Sequence, residues 1–344
     1  MEKKEKKISI GIVGSGNVGT AFSVALASAG FDVELVSRRV KGVMIGNSIN
    51  FEIVGSFGNK SHLIPIVKSV NDFTTKKDII FICTKSHDAM AILPDIPKWL
   101  NKGGAIVTIH NAFWVEELQN LIPSDISVCM YMDISCIIDK GKTYVNNTGG
   151  ITLGIYDKDA LTSMHLVKSV FEKIVSTKET NNLYGFLMGR GIMNTTISLL
   201  GAISGMRLGG VLDDRNGRYL FVKLITESVE LFQKIGIDIL PYNGILDYYK
   251  FIKNTIPSMW YRYKMLRLIC KNNRHIRSSA LVDLEKGKKP EIIPQVKVIL
   301  KLAKKYSHPL PFTEEVFKIL IEIVKDEWRV DKDIFYNKRL VNIN

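Results

Sequence analysis

Six residues near the start, Gly14-Ser15-Gly16-Asn17-Val18-Gly19, constrain this chain more than any other stretch. They spell G-x-G-x-x-G, directly after the apolar, β-prone run 8–13 and at the head of a helical pattern over 18–29. A glycine loop between a strand and a helix is the context in which this motif holds a dinucleotide. Gly14 permits the tight turn, Gly16 lets the backbone approach a pyrophosphate, and Gly19 lets the helix lie close to the strand. The free N–H groups at the helix start then face the phosphates. All six residues are therefore candidate cofactor-binding positions.

The surrounding pattern agrees. Residues 32–37, 79–84 and 105–110 read as further apolar strands, and 89–99 as a helix. Strands that are apolar throughout and separated by helices predict a parallel sheet covered on both faces. The stretch 40–70 is less regular, with an extra strand over 51–54 and a turn at Asn59-Lys60. Short β-like runs fill 128–155. From Leu183 onward the pattern is mostly helical, with helices over 218–235, 294–306 and 313–324. The expectation is an α/β chain: an N-terminal Rossmann-type, doubly wound parallel sheet over residues 1–180, then an all-helical substrate domain over 181–344. The length of 344 residues suits two domains, at about 150 residues each.

The end of the second strand bears on the cofactor. An NAD(H) site usually carries Asp or Glu there for the ribose hydroxyls. This chain has Ser37-Arg38-Arg39. Guanidinium groups pair with phosphate in a bidentate fork, so Arg38 and Arg39 point to NADP(H).

Lys plus Arg number 47 against 34 Asp plus Glu, a formal net charge of +13, which fits anionic ligands. Six basic residues and no acidic one fall in 262–277, beside Trp260, Tyr261 and Tyr263. That run leads straight into 278–291, so we read it as a wall for small anions, and we expect neither a nucleic-acid nor a membrane partner. The apolar stretch 192–206 is interrupted by Asn194, Thr195, Thr196, Ser198 and Ser204 and falls short of the ~20 apolar residues of a membrane span. The four cysteines, Cys83, Cys129, Cys136 and Cys270, form no C-x-x-C pair and have no histidine at ligand spacing. They suggest no metal site and a reducing, cytoplasmic setting. Cys83 and Cys129 lie in apolar runs and read as buried.

Several further segments resemble one family. Thr84-Lys85 closes a predicted strand, and His110-Asn111-Ala112 closes the next. Arg190, Asn194 and Ser198 are spaced to share one helix face. Ser278-Ser279 begins a segment that continues through Asp283 and Gly287 to Glu291. Over nearly its whole length the chain resembles the ketopantoate reductases (2-dehydropantoate 2-reductases). The resemblance implies NADPH-dependent reduction of a 2-oxo acid to a 2-hydroxy acid, by default 2-dehydropantoate to pantoate in the pantothenate and coenzyme A pathway. It places Lys85 near the cofactor and Asn111 at the nicotinamide end, touching cofactor and substrate. It makes Asn194, Ser198 and Ser279 substrate-binding, Glu291 an active-site carboxylate, and Arg190 the occupant of the family's catalytic-lysine position.

Three departures stand out: Arg190 replaces that lysine, Ser198 replaces an asparagine, and Ile292-Ile293-Pro294 follows Glu291. Arginine keeps its proton, with a pKa above ~12, so it can hold a carboxylate or polarise a carbonyl but is a poor proton donor. His110, at a strand's carboxyl end, and Lys85 are the candidate donors. The departures leave open a paralogous reductase for another oxo acid, an opine-type dehydrogenase, or a nucleotide-sensing protein without turnover. The oligomeric state is open, a homodimer being one option.

Overall fold

A computed structural model of the chain describes residues 7–38, 44–45, 47–109, 120–146, 149–253 and 259–343. Arg39, His110 and Asn111 lie outside the described residues. The chain divides into two compact units, Met1–Leu183 and Tyr184–Asn344.

The first unit runs β1 (Ser9–Val13), α1 (Asn17–Ser28), β2 (Asp32–Val36), β3 (Met44–Ile45), β4 (Ser48–Gly55), β5 (Lys60–Val67), β6 (Lys77–Ile82), α2 (Ser86–Ile92) and β7 (Leu100–Thr108). It continues with β8 (Ser127–Met132), β9 (Cys136–Asp139), β10 (Lys142–Val145), β11 (Ile151–Ile155), α3 (Leu161–Phe171) and β12 (Thr177–Glu179). The strand order is β12-β11-β8-β7-β6-β1-β2-β5-β4-β10-β9, with β3 on β4. From β5 through β2, β1, β6 and β7 to β8 every pairing is parallel. All five residues of β1 are buried, as the apolar run required. Phe22 of α1 anchors one covering layer, its ring 5.3–5.5 Å from those of Phe57, Phe81 and Phe171.

Two local expectations change. The irregular stretch 40–70 contains a long antiparallel hairpin, β4 on β5. The first residues of β5, Lys60 to Leu63, are all exposed, so they lack the apolar signal of a buried strand. Second, the helix expected over 89–99 stops at Ile92. Pro94 and Pro97 start two short 3-10 turns, Leu93–Asp95 and Pro97–Trp99, because proline cannot donate the N–H that would continue an α-helix.

The second unit is helical: α4 (Leu183–Ser204), α5 (Leu208–Asp213), α6 (Arg215–Ile235), α7 (Tyr248–Ile252), α8 (Met259–Ile269), α9 (Ser279–Glu285), α10 (Ile292–Lys305), α11 (Pro311–Val324) and α12 (Lys338–Val341). Asp214 caps α6 by accepting the Gly217 N–H, and Gly236 ends it in the left-handed conformation. Glu227, buried on α6, accepts the Phe312 and Thr313 N–H groups and the Thr313 hydroxyl at 2.6–2.8 Å. It thereby caps α11 from another element.

The apolar stretch read as too short for a membrane span belongs to a longer helix. The 22-residue α4 is long and apolar enough to cross a membrane, but 83% of that window is buried within the protein, so it is a core helix. Two of its hydroxyls are satisfied locally: Thr196 donates to the Ile192 carbonyl and Ser204 to that of Leu200.

Candidate active site

In the first unit backbone geometry shapes the candidate cofactor site. Gly14 turns the chain at φ 109° and its N–H donates to the Val36 carbonyl at 3.0 Å. A Cβ on Gly19 would stand 1.9 Å from the Gly14 carbonyl oxygen, so α1 can approach β1 only with glycine there. A Cβ on Gly16 would meet nothing within 4 Å. The protein's own packing does not require that glycine, and the open space above it suits an approaching pyrophosphate. Ser15 and Ser37 join their hydroxyls at 2.6 Å, tying the loop to the end of β2. The Asn17 side-chain oxygen accepts the Ile138 N–H at 3.2 Å. Val18 packs against the core.

A cavity of about 740 Å³ opens beside this loop, lined among others by Gly14, Ser37, Arg38, Lys68, Thr84 and Asp88. The size and the glycine cradle fit the adenosine and phosphate end of a dinucleotide. Arg38 is exposed and donates to Asp88 at 3.0 Å. Lys85 is exposed at the N-cap of α2. Cys83 is half-buried rather than buried, and desolvation raises its thiol pKa, which keeps it protonated. Cys129 is buried as expected, and burial pushes its thiol up to about 11.

In the second unit the candidate residues are side chains. On α4, Arg190 and Ser198 are buried, while Asn194 is exposed. The Arg190 guanidinium lies over the rings of Phe186 and Tyr242, 5.6 and 4.8 Å from their centroids. Those rings hold the guanidinium plane by cation–π contact. Three residues past Ser198, Gly201 makes room for another element: a Cβ there would stand 2.7 Å from the Ser278 hydroxyl oxygen. Ser278 is the N-cap of α9, accepting the Leu281 N–H at 3.2 Å. Its neighbour Ser279 opens the helix and is exposed. The spacing from Asp283 through Gly287 to Glu291 also has a structural cause. The Asp283 carbonyl accepts the Lys288 N–H, its carboxylate accepts the Glu291 N–H, and Gly287 supplies the positive φ between them. The Glu291 side chain is exposed.

The basic run 262–277 is largely engaged inside its own unit. Arg267 and Arg274 pair with Asp213, Arg277 pairs with Glu285, and Arg262 donates to the Ile252 and Lys253 carbonyls. The sequence reading missed Ser37, Lys68 and Asp88 on the cavity wall. Lys68 follows a strand whose apolar run is short and broken by Pro65, and no spacing rule links Asp88 to Arg38.

Residues 10–158 match the family described as ketopantoate reductase PanE/ApbA, and residues 186–324 match its C-terminal region. The chain belongs to the ketopantoate reductase family. A 2-dehydropantoate 2-reductase of Aquifex aeolicus (strain VF5) is 23% identical over 318 residues, covering 90% of this chain and 94% of that one. Among solved structures, the ternary complex of D-mandelate dehydrogenase with NADH and anilino(oxo)acetate is similar with a TM-score of 0.74 at 16% identity, covering 93% and 99%. A dimeric ketopantoate reductase from Staphylococcus aureus is similar with a TM-score of 0.67 at 15% identity, covering 93% and 100%. Ketopantoate reductase membership makes this chain an oxidoreductase with a Rossmann-type unit and a helical unit.

Proposed function

We propose that this ketopantoate reductase family member reduces a 2-oxo acid to the 2-hydroxy acid with NADPH. The observation that carries the cofactor is Arg38: it stands on the cavity wall at the end of β2, where an NAD(H) site would carry a carboxylate. The bound nicotinamide supplies the hydride. Gly14, Ser15 and Gly16, with Asn17, Val18 and Gly19 behind them, bring the α1 N-terminus to the pyrophosphate. Arg38, with Arg39 beside it in sequence, receives the 2′-phosphate.

On the substrate side, Arg190 holds the carboxylate or polarises the carbonyl with a fixed charge. Its burial among aromatic rings strengthens that charge's effect, because little water screens it. Asn111, Asn194, Ser198 and Ser279 orient the acid, and Glu291 completes the polar set. The proton for the carbonyl oxygen comes from Lys85 or His110, since arginine does not release its own.

2-Dehydropantoate, and with it a place in the pantothenate pathway, is the default substrate. A second reading, a different 2-oxo acid, is favoured by Arg190 and Ser198 at positions that differ from the family pattern. The D-mandelate dehydrogenase neighbour, with its anilino(oxo)acetate, is an example on a similar fold. The four free cysteines suit a cytoplasmic setting, and the dimeric relative supports a homodimer. The test is NADPH consumption with a panel of 2-oxo acids that includes 2-dehydropantoate. Turnover of at least one member, faster with NADPH than with NADH, is expected. No turnover of any, with tight NADPH binding retained, would favour the nucleotide-sensing reading instead.

A further inference from the structure

β5 lies parallel to β2 with Leu35 opposite Ile66 and Val36 opposite Val67, and the Ser37 N–H donates to the Val67 carbonyl at 2.9 Å. The residues that follow, Arg38 and Lys68, therefore leave the sheet side by side at its carboxyl edge. Both line the same cavity. Arg38 already has an anion: the carboxylate of Asp88, in the first turn of α2, at 3.0 Å. Among the described residues Lys68 has no carboxylate partner, and it is exposed. Two cations and two carboxylates thus line the cavity where the adenosine end of a dinucleotide would lie, and one of the carboxylates, Asp95, is paired with Lys98.

We propose that Asp88 sets how strongly NADPH is preferred, by holding Arg38 in place of a 2′-phosphate, and that Lys68 is the second cation that lets the phosphate displace it. The proposal rests on the NADPH reading of Arg38 and adds two specificity-determining residues to it. A phosphate monoester near neutral pH carries close to two negative charges and three acceptor oxygens. It can take the Arg38 fork and Lys68 together, whereas Asp88 offers Arg38 only a single charge. The Arg38–Asp88 pair is exposed, so it is weak enough to exchange. A ribose hydroxyl of NADH brings no charge and leaves the pair intact.

The experiment is direct titration of NADPH and NADH into the full chain by cofactor fluorescence, with thermal melting as the check on folding. Asp88→Asn should tighten NADPH about threefold to tenfold and leave NADH within about twofold. Lys68→Ala should weaken NADPH about tenfold, again with NADH nearly unchanged, and should flatten the loss of NADPH affinity with added salt. Either variant shifting both cofactors alike, or neither, overturns the proposal. Arg38→Ala separates the two levels. If it lowers NADPH affinity selectively while Asp88→Asn and Lys68→Ala do not behave as stated, only this proposal fails. If Arg38→Ala affects both cofactors equally, the NADPH reading fails and the proposal falls with it.

Discussion

The glycine loop of the first unit and the polar face of α4 in the second are built by different means. In the loop the functional surface is backbone: a turn at Gly14, an open place at Gly16, and a contact at Gly19 that no side chain can share. On α4 the proposed surface is side chains, Arg190, Asn194 and Ser198, on a buried core helix. Backbone sites tolerate no change at the glycines and bind the same phosphate chemistry wherever they occur. Side-chain sites keep their scaffold while one substitution alters the chemistry, as arginine in place of a catalytic lysine would by removing a tunable proton donor. The family relationship accordingly says more about the cofactor end than about the acid.

The largest effect should come from breaking the backbone half. Gly19→Ala forces a carbon onto the Gly14 carbonyl, so the α1–β1 contact must open. Dinucleotide binding should vanish in a fluorescence titration, with a loss of stability of about 1–3 kcal/mol by urea unfolding. Retained binding would show that the loop does not hold the cofactor.

The side-chain half should break less completely. Arg190→Ala should lower kcat/KM for the true substrate roughly thirtyfold or more, for about 2 kcal/mol of lost charge-assisted contact, with NADPH affinity unchanged. Arg190→Lys sharpens the comparison. If arginine recognises a different acid, lysine loses the fork and turnover of that acid falls. A rise in 2-dehydropantoate reduction would show instead that the family's lysine chemistry is latent here.

These two regions were not equally legible in the sequence. The parallel sheet followed from apolar runs, and the glycine loop from its place between strand and helix. The hairpin β4–β5 was hidden because β5 begins with four exposed residues, and that obscured Lys68 just beyond it. The Arg38–Asp88 pair joins residues 50 apart through sheet order, which no local pattern encodes. The Ser278-Ser279 pair could be recognised, but only the hydrogen bond from the Leu281 N–H shows that Ser278 is the capping residue. The pairing of the basic run with Asp213 and Glu285 was not legible, because both carboxylates are outside the run in sequence.

Glu227 offers a control, a buried polar group with a purely structural task. Glu227→Ala should cost about 2–3 kcal/mol of stability by leaving three donors on α11 unsatisfied, with no change in cofactor affinity. Its pH dependence has a definite sign. Burial raises the carboxyl's folded-state pKa above the ordinary value, so the folded protein holds that proton more tightly than the unfolded chain. Its contribution is full below the ordinary carboxylate pKa and is lost as pH rises through the raised one. Across that window the urea midpoint of the unaltered protein should fall relative to that of Glu227→Gln.

The smallest effects should split neighbouring serines. Ser278→Ala should cost about 1 kcal/mol of stability through the lost cap, with KM nearly unchanged. Ser279→Ala should leave stability within about 0.5 kcal/mol and raise KM for the oxo acid. The reverse pattern would exchange their roles.

The most direct test of the account is where the hydride goes. NADPH deuterated at the transferred position of the nicotinamide, incubated with the protein and the best substrate of the 2-oxo acid panel, should yield a 2-hydroxy acid with deuterium on carbon 2 by mass spectrometry. Cofactor oxidation without label in the acid, or no oxidation with any 2-oxo acid, would contradict the assignment as an oxo-acid reductase.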